Sequence, residues 1–102
     1  MEAEAIRNTF GAHTEKLAVS STKSVHGHLI GAASALETAL TVRMLQTGRI
    51  APTAHLTDPD PECDLDCVPL VGREAPELEY ALTNSFAFGG SNATLVLRKA
   101  FA

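Results

Sequence analysis

Apolar residues dominate the segment from Gly31 to Gly48, and this pattern predicts one long helix. At about 100° per residue, Arg43 lies opposite a narrow polar stripe made of Ser34, Glu37, Thr38 and Thr41. A helix that is apolar nearly all round belongs in a protein interior. We therefore expect this helix to be covered on several sides, and Glu37 to need a partner there because an unpaired buried carboxylate is costly.

Two apolar patterns near the end of the chain predict a β-hairpin. Apolar and polar residues alternate over Glu77–Thr83, which predicts a strand with one wet face. The apolar side of this strand comprises Leu78, Tyr80 and Leu82. Ala93–Leu97 is a continuous apolar run and predicts a more buried strand. The polar, glycine-containing segment Asn84–Asn92 would be the loop that joins the two strands.

The remaining segments predict shorter elements. Glu2–Phe10 contains helix formers and ends at Gly11, a plausible helix stop. This helix starts at Met1 without a capping residue, as in a chain that begins inside an element. The other predictions are, in chain order, a strand at Leu17–Ser21, a loop at Thr22–His28, an extended segment at Ile50–Leu56 and an acidic loop with two prolines at Asp58–Asp66.

Composition narrows the class of protein. The 102 residues suffice for one domain, and 45% apolar residues are enough for a modest core. Twelve acidic against eight basic residues give a net charge of −4, which argues against nucleic acid binding. No apolar run approaches the roughly 20 residues of a membrane span. The acidic start does not resemble a signal peptide, so two cysteines predict a reducing, cytoplasmic setting.

The first candidate for chemistry is a cluster of one lysine and two histidines. Lys23, His26 and His28 precede the long helix, whose N-terminal end carries a partial positive charge. Such a place suits an anion or a developing oxyanion, and a histidine there would tend to be neutral and to donate a hydrogen bond. The alternative is an ordinary loop with a solvated lysine and two unremarkable histidines.

The second candidate is the loop Phe86–Gly90, with the sequence Phe-Ala-Phe-Gly-Gly. Paired glycines allow positive φ angles and bring backbone N–H groups close to a ligand, and the two phenylalanines would flank an apolar channel. The alternative is a long hairpin loop pinned by its aromatic residues.

Metal sites and a cysteine nucleophile are weaker hypotheses. The acids of Asp58–Asp66 lack the glycine and glutamate positions of an EF-hand calcium loop. Zinc could use His26 and His28 with Cys63 and Cys67, but the spacing is unlike that of common zinc motifs. Both cysteines lie among acids, which raise a thiol pKa and disfavour a nucleophile.

Three segments together resemble the β-ketoacyl-acyl-carrier-protein synthases, the elongating condensing enzymes. Ser21–Ala33 is similar to their Lys/His motif, and Asn84–Thr94 to their C-terminal glycine-rich motif. Asp58–Asp66 is similar to the acidic connector between those motifs. Order and spacing agree, and the resemblance extends over essentially the whole chain.

The resemblance implies a fold and a reaction. The fold class would be α/β, as the C-terminal part of a thiolase-like fold, with the buried helix packed on a mixed sheet that ends in a β-hairpin. Residues 1–102 would be the C-terminal portion of a β-ketoacyl synthase domain. The implied function is that of a 3-oxoacyl-[acyl-carrier-protein] synthase, which joins an acyl thioester to malonyl-carrier protein by decarboxylative Claisen condensation in fatty-acid biosynthesis.

The resemblance also implies residue roles. His28 matches the second catalytic histidine, which would hydrogen-bond the malonyl thioester oxygen as negative charge builds. Lys23 matches the family lysine, and Glu37 matches its ion-pair partner. Phe88 matches the aromatic gate, whose backbone N–H also serves the oxyanion hole. The supporting residues of the glycine-rich motif would be Gly89, Gly90 and Asn92.

Some positions depart from the family pattern, and two essential groups are missing from this sequence. The departures are Ser34 and Ala87 in place of common glycines, His26 in place of a small polar residue, and Ser91 in place of threonine. Neither Cys63 nor Cys67 lies in a context that matches the nucleophile, and the first catalytic histidine is also absent. We therefore expect the isolated chain to form no acyl-enzyme.

Other readings are a polyketide ketosynthase, a non-catalytic partner that resembles a chain-length factor, and, as the weakest, a small zinc-binding module. The expected partners are acyl- and malonyl-acyl-carrier protein, and the full-length protein is expected to be a homodimer. We expect no nucleic acid, membrane, metal ion or cofactor to take part.

Overall fold

The computed structural model describes residues 1–100, with short helices before one long helix and two antiparallel strand pairs. The helical elements are α1 (Glu2–Phe10), a 3₁₀ segment (Gly11–Lys16), α2 (Lys23–His26), a 3₁₀ turn (Ile30–Ala32) and α3 (Ala33–Thr47). The strands are β1 (Arg49–Ile50), β2 (Arg73–Glu74), β3 (Tyr80–Ala87) and β4 (Ser91–Arg98). β1 pairs with β2, and β3 pairs with β4.

The long helix forms as predicted, with a later start. α3 begins at Ala33 because the preceding residues form the 3₁₀ turn. It ends at Gly48, whose left-handed φ of 66° and ψ of 33° turn the chain towards β1. A Cβ at Gly48 would lie 3.1 Å from Pro76 Cα, so glycine also permits the close approach of these two segments.

The expected cover of α3 on several sides is only partly provided by this chain. α3 packs on β3, and among its residues only Ala33 and Leu45 are buried. Val42 is 39% exposed even though its neighbours on the helix are apolar. α3 has the composition of an interior helix, and its apolar surface is larger than the part that residues 1–100 cover.

The hairpin is longer than predicted and its turn is shorter. β3 and β4 pair from Tyr80–Arg98 to Ala87–Ser91, so most of the predicted loop belongs to the strands. The turn uses Gly89 at φ 84° and Gly90 at φ 81°, a conformation that side chains with a Cβ adopt rarely.

The face of the hairpin that residues 1–100 cover is not the predicted one. Tyr80 and Leu82, expected on the covered face, are 55% and 44% exposed, while Ala81 and Thr83 on the other face are half-buried. Small side chains of β3 are half-buried where the strand packs with α3, and the larger apolar side chains lie on the opposite face. Val96, expected in a buried strand, is 66% exposed.

The sheet arrangement is simpler than the expected mixed sheet. Within residues 1–100 each sheet has two antiparallel strands, and parallel pairing is limited to isolated bridges. One bridge joins Ala18 to Asp66, where a strand at Leu17–Ser21 was predicted. The other joins Thr53 to Pro69 within the predicted extended segment, of which only Ile50 lies in a strand.

Residues 58–68, here called the connector, tie distant parts of the chain together. Arg7 of α1 donates from Nε to Asp64 Oδ1 at 2.8 Å. Arg73 of β2 donates to Asp66 Oδ1 at 2.9 Å, and the Val19 N–H donates to the Asp66 carbonyl at 2.8 Å. The acids that suggested calcium therefore serve, in part, as ion-pair partners of two arginines.

Thr53 links the connector to the Lys/His motif through hydrogen bonds. Its N–H donates to the Val68 carbonyl at 2.9 Å, and its hydroxyl donates to the Cys67 carbonyl at 2.7 Å. The same hydroxyl oxygen accepts the Ser21 N–H at 3.2 Å. The connector is thus linked through one threonine to the start of α2.

The fully covered apolar core is small. Among residues 1–100, the buried apolar residues are Ala33, Leu45, Val68 and Ala75. The helices in this part of the chain are all too short or too polar to span a bilayer.

Asp66→Asn should remove a pH-dependent part of the stability. The hydrogen bonds from Arg73 lower the pKa of Asp66 below its ordinary value of 3.8. The stabilisation is therefore fully present above the unfolded-state pKa and is lost as pH falls through the lower folded-state pKa. We expect the variant to lose about 1 kcal/mol or less at neutral pH, since the pair is half-exposed. Urea unfolding at neutral pH and at about pH 3 checks this.

The matched control is Glu74→Gln, which breaks a more exposed pair with Arg49. Equal stability differences between wild type and Asp66→Asn at both pH values would contradict the assigned role of the Asp66 carboxylate.

Candidate functional site

A short helix carries the lysine of the cluster, where a loop was predicted. α2 spans Lys23–His26 and ends at Gly27, whose φ is 76° and whose N–H donates to the Lys23 carbonyl at 2.8 Å. Ser24 Oγ donates to the Ser21 carbonyl at 3.0 Å, a local bond that supports this turn. The prediction failed here because one turn is too short to show a helical apolar period.

Lys23 and Glu37 form the ion pair that the resemblance implied. The Lys23 Nζ lies 2.6 Å from Glu37 Oε1, and the two side chains are 35% and 17% exposed. The half-buried carboxylate of α3 thereby obtains a positively charged partner, and α2 is tied to α3.

His28 has a defined proton position in its neutral form. Its Nδ1 accepts the N–H of Ile30 at 2.9 Å, so the proton of a neutral ring must be on Nε2. His28 can therefore donate a hydrogen bond from Nε2, as expected for a group that faces a developing oxyanion.

The N–H that orients His28 comes from a strained residue. Ile30 has φ 51°, in the left-handed region that β-branched residues rarely enter, and its side chain is 78% exposed. Such a conformation costs about 1–3 kcal/mol and is typical of functional sites. Sequence reasoning missed Ile30, because isoleucine gives no signal for a positive φ.

His26 has the opposite proton position in its neutral form. Its Nδ1 donates to the Gly27 carbonyl at 2.7 Å, and its Nε2 then accepts the hydroxyl of Thr22 at 2.8 Å. Both ring nitrogens are thus occupied within the α2 turn. This leaves His28 as the histidine of the pair with a donor at Nε2.

One broad cleft brings together part of the predicted site. Lys23, His28 and Glu37 line its helical side, and Gly90 and Asn92 line its hairpin side. Phe88 and Gly89 do not line this cleft but lie at the hairpin tip, where Phe88 is fully exposed. Of the two phenylalanines in this loop, Phe86 is the one that lines the cleft.

The two weaker hypotheses receive no support from the geometry. Within residues 1–100, no three His, Cys, Asp or Glu side chains gather in a way that could hold a metal ion. Burial raises the pKa of the Cys67 thiol, and the neighbouring Cys63 and Asp66 raise it further. A raised thiol pKa disfavours nucleophilic catalysis by Cys67, and burial contributes more to it than the acidic neighbour that the sequence pointed to.

Comparisons with known proteins identify relatives over the whole chain. The family model described as "Beta-ketoacyl synthase, C-terminal domain" matches residues 1–57. A 3-oxoacyl-[acyl-carrier-protein] synthase 2 of Coxiella burnetii is 52% identical over 99% of this chain and 24% of its own length. The protein of that name in Staphylococcus aureus is 49% identical over 96% of this chain and 23% of its own. The chain thus spans about a quarter of these relatives.

Solved structures of similar proteins share the fold. A type II polyketide synthase ketosynthase, in complex with its acyl-carrier protein, superposes with a TM-score of 0.92 at 32% identity. It covers 97% of this chain and 24% of its own. The ishigamide ketosynthase/chain length factor gives 0.91 at 36% identity, over 98% and 24% of the two chains. The chain therefore belongs to the β-ketoacyl synthase family, and its fold is the C-terminal part of the thiolase-like fold.

Proposed function

We propose that residues 1–102 are the C-terminal portion of the synthase domain of a 3-oxoacyl-[acyl-carrier-protein] synthase in cytoplasmic fatty-acid biosynthesis. The proposal rests on one observation above all, the Nε2 proton of neutral His28 that the Ile30 N–H imposes. The name 3-oxoacyl-[acyl-carrier-protein] synthase 2, carried by relatives that are 49–52% identical to the chain, supports the choice of this reaction.

His28 would act while malonyl-carrier protein loses carbon dioxide. When the C–C bond to the carboxylate breaks, the electron pair moves onto the malonyl thioester and places negative charge on its oxygen. The Nε2–H of His28 would donate to that oxygen and stabilise the charge. The carbanion then attacks the acyl thioester carbonyl, a new C–C bond forms, and the thiolate that carried the acyl group leaves.

The other site residues would position and cover the reacting groups. The Lys23–Glu37 pair would hold α2, and with it His28, against α3. Phe88 would gate the acyl group and give its backbone N–H to the oxyanion hole. Gly89 and Gly90 form the turn that carries Phe88, and Asn92 lies on the cleft beside them. Because Phe88 lies at an exposed tip in this structure, its role requires cover from elsewhere in the protein.

The nucleophilic cysteine and the first histidine would come from the N-terminal half of the domain. Acyl- and malonyl-acyl-carrier protein would be the partners, and the full protein would be a homodimer. The reaction as written needs no cofactor. The second candidate function is that of a non-catalytic partner similar to a chain-length factor. It is favoured by the ketosynthase/chain length factor among the similar structures.

His28→Ala in the full-length protein should slow malonyl-carrier-protein decarboxylation by about 10²–10³-fold, the usual effect of losing one oxyanion donor. Decarboxylation is measured separately from condensation, by release of labelled carbon dioxide. His55→Asn is the matched control, because His55 is exposed, does not line the cleft and has a positive φ that asparagine tolerates. An unchanged rate in His28→Ala would contradict the proposal.

Lys23→Met should destabilise the protein by about 1–3 kcal/mol, because the half-buried Glu37 carboxylate loses its partner. The double variant Lys23→Met/Glu37→Leu should regain stability without regaining condensation activity. Arg49→Met breaks the ion pair with Glu74, in which both side chains are about 70% exposed. This variant should lose about 1 kcal/mol of stability or less. Equal losses for Lys23→Met and Arg49→Met in chemical unfolding would argue against a structural role for the Lys23–Glu37 pair.

The 102-residue chain alone should form no acyl-enzyme with acyl-carrier-protein thioesters. Intact mass measurement after incubation checks this, with the full-length protein as the positive control. A stable acyl adduct on Cys63 or Cys67 would show that this chain carries its own nucleophile and would overturn the division of the domain proposed here.

A further inference from the structure

Cys63 and Cys67 form a close pair that the proposed reaction does not use. Their sulfur atoms lie 3.9 Å apart, and both side chains are half-buried in the connector. They are the two cysteines of this sequence, so neither has another cysteine of the chain to pair with. Thiols in contact at this distance are close to the geometry that a disulfide requires.

The backbone around the pair is fixed, while no helix or strand constrains the sulfur atoms. The Cys63 N–H donates to the Asp60 carbonyl at 2.9 Å, and the Cys67 carbonyl accepts the Thr53 hydroxyl at 2.7 Å. Asp64 and Leu65 lie in neither helix nor strand, whereas Asp66 is held by its bridge to Ala18. The sulfurs can therefore close to about 2.05 Å by side-chain rotation and a small shift of the loop.

The two carboxylates between the cysteines are already paired. Asp64 and Asp66 bind Arg7 and Arg73. A bond between the sulfurs uses neither carboxylate, so it does not compete for the groups that these arginines bind.

We propose that Cys63 and Cys67 are a dithiol site that low-molecular-weight disulfides, such as glutathione disulfide, convert to an intramolecular disulfide. In the first step one thiolate attacks glutathione disulfide, forms a mixed disulfide and releases one glutathione thiolate. In the second step the other cysteine attacks the protein-bound sulfur and releases the second glutathione. The two protein thiols lose two protons and two electrons, and one glutathione disulfide is reduced to two glutathione thiols.

The contact between the two sulfurs lets either thiol attack first, with the other then resolving the mixed disulfide. Excess dithiol reagent should reverse the reaction, because the bond is formed by exchange.

Peptide mapping of the full-length protein tests the site directly. Trypsin cuts after Arg49 and Arg73, so both cysteines fall in the single peptide Ile50–Arg73. After glutathione disulfide treatment, this peptide should be lighter by two hydrogen atoms and resist iodoacetamide until dithiothreitol is added. This readout distinguishes the pair from any other cysteine of the protein, and it is independent of the proposed condensation activity.

The single serine variants remove the resolving thiol. Cys67→Ser and Cys63→Ser should each accumulate one mixed disulfide with glutathione, because no second thiol is left to release it. Two glutathiones on the wild-type peptide, or two freely alkylated cysteines after the treatment, would overturn the proposal.

Discussion

Asp66 joins the connector to β2, seven residues further on, and to Val19 far upstream, and the placement of the Lys/His motif depends on it. Its carboxylate accepts hydrogen bonds from Arg73 and from the Val68 N–H, and its carbonyl accepts the Val19 N–H. Fully buried apolar residues number only four among residues 1–100, so this part of the chain has little core to hold it. A single half-exposed ion pair contributes little stability. A residue that accepts hydrogen bonds with both its side chain and its backbone carbonyl also fixes the local geometry.

A chain of hydrogen bonds runs from the neighbourhood of Asp66 to the Lys/His motif. The neighbouring Cys67 carbonyl accepts the Thr53 hydroxyl, which in turn accepts the N–H of Ser21 at the entrance to α2. At the other side of α2, the Lys23–Glu37 pair fixes it to α3. The turn before His28 is thus held from two directions by polar contacts. This explains why a motif of mostly exposed residues can hold a defined geometry.

The features that could be predicted from the sequence are those whose signal lies within one short segment of the chain. α3 and the hairpin were predicted because a long apolar segment, and two strand patterns joined by a polar loop, are local patterns. The face of β3 that packs on α3 was not predicted. Alternation of apolar and polar residues defines two faces, and only the neighbouring element determines which of them is covered. The connector acids were located, but their arginine partners were not, since Arg7 lies 57 residues from Asp64. The Lys23–Glu37 pair was anticipated through the resemblance, while the positive φ of Ile30 has no sequence signal.

His26 and His28 show how the backbone, rather than the residue type, selects chemistry. They are separated only by Gly27, yet one faces a carbonyl acceptor and the other an amide donor. In the neutral form His26 therefore keeps its proton on Nδ1 and accepts at Nε2, whereas His28 keeps its proton on Nε2. A reaction that needs a hydrogen-bond donor at Nε2 can use His28 and cannot use neutral His26 in its place. The resemblance singled out His28, and the N–H of the strained Ile30 gives this histidine the proton position that suits an oxyanion.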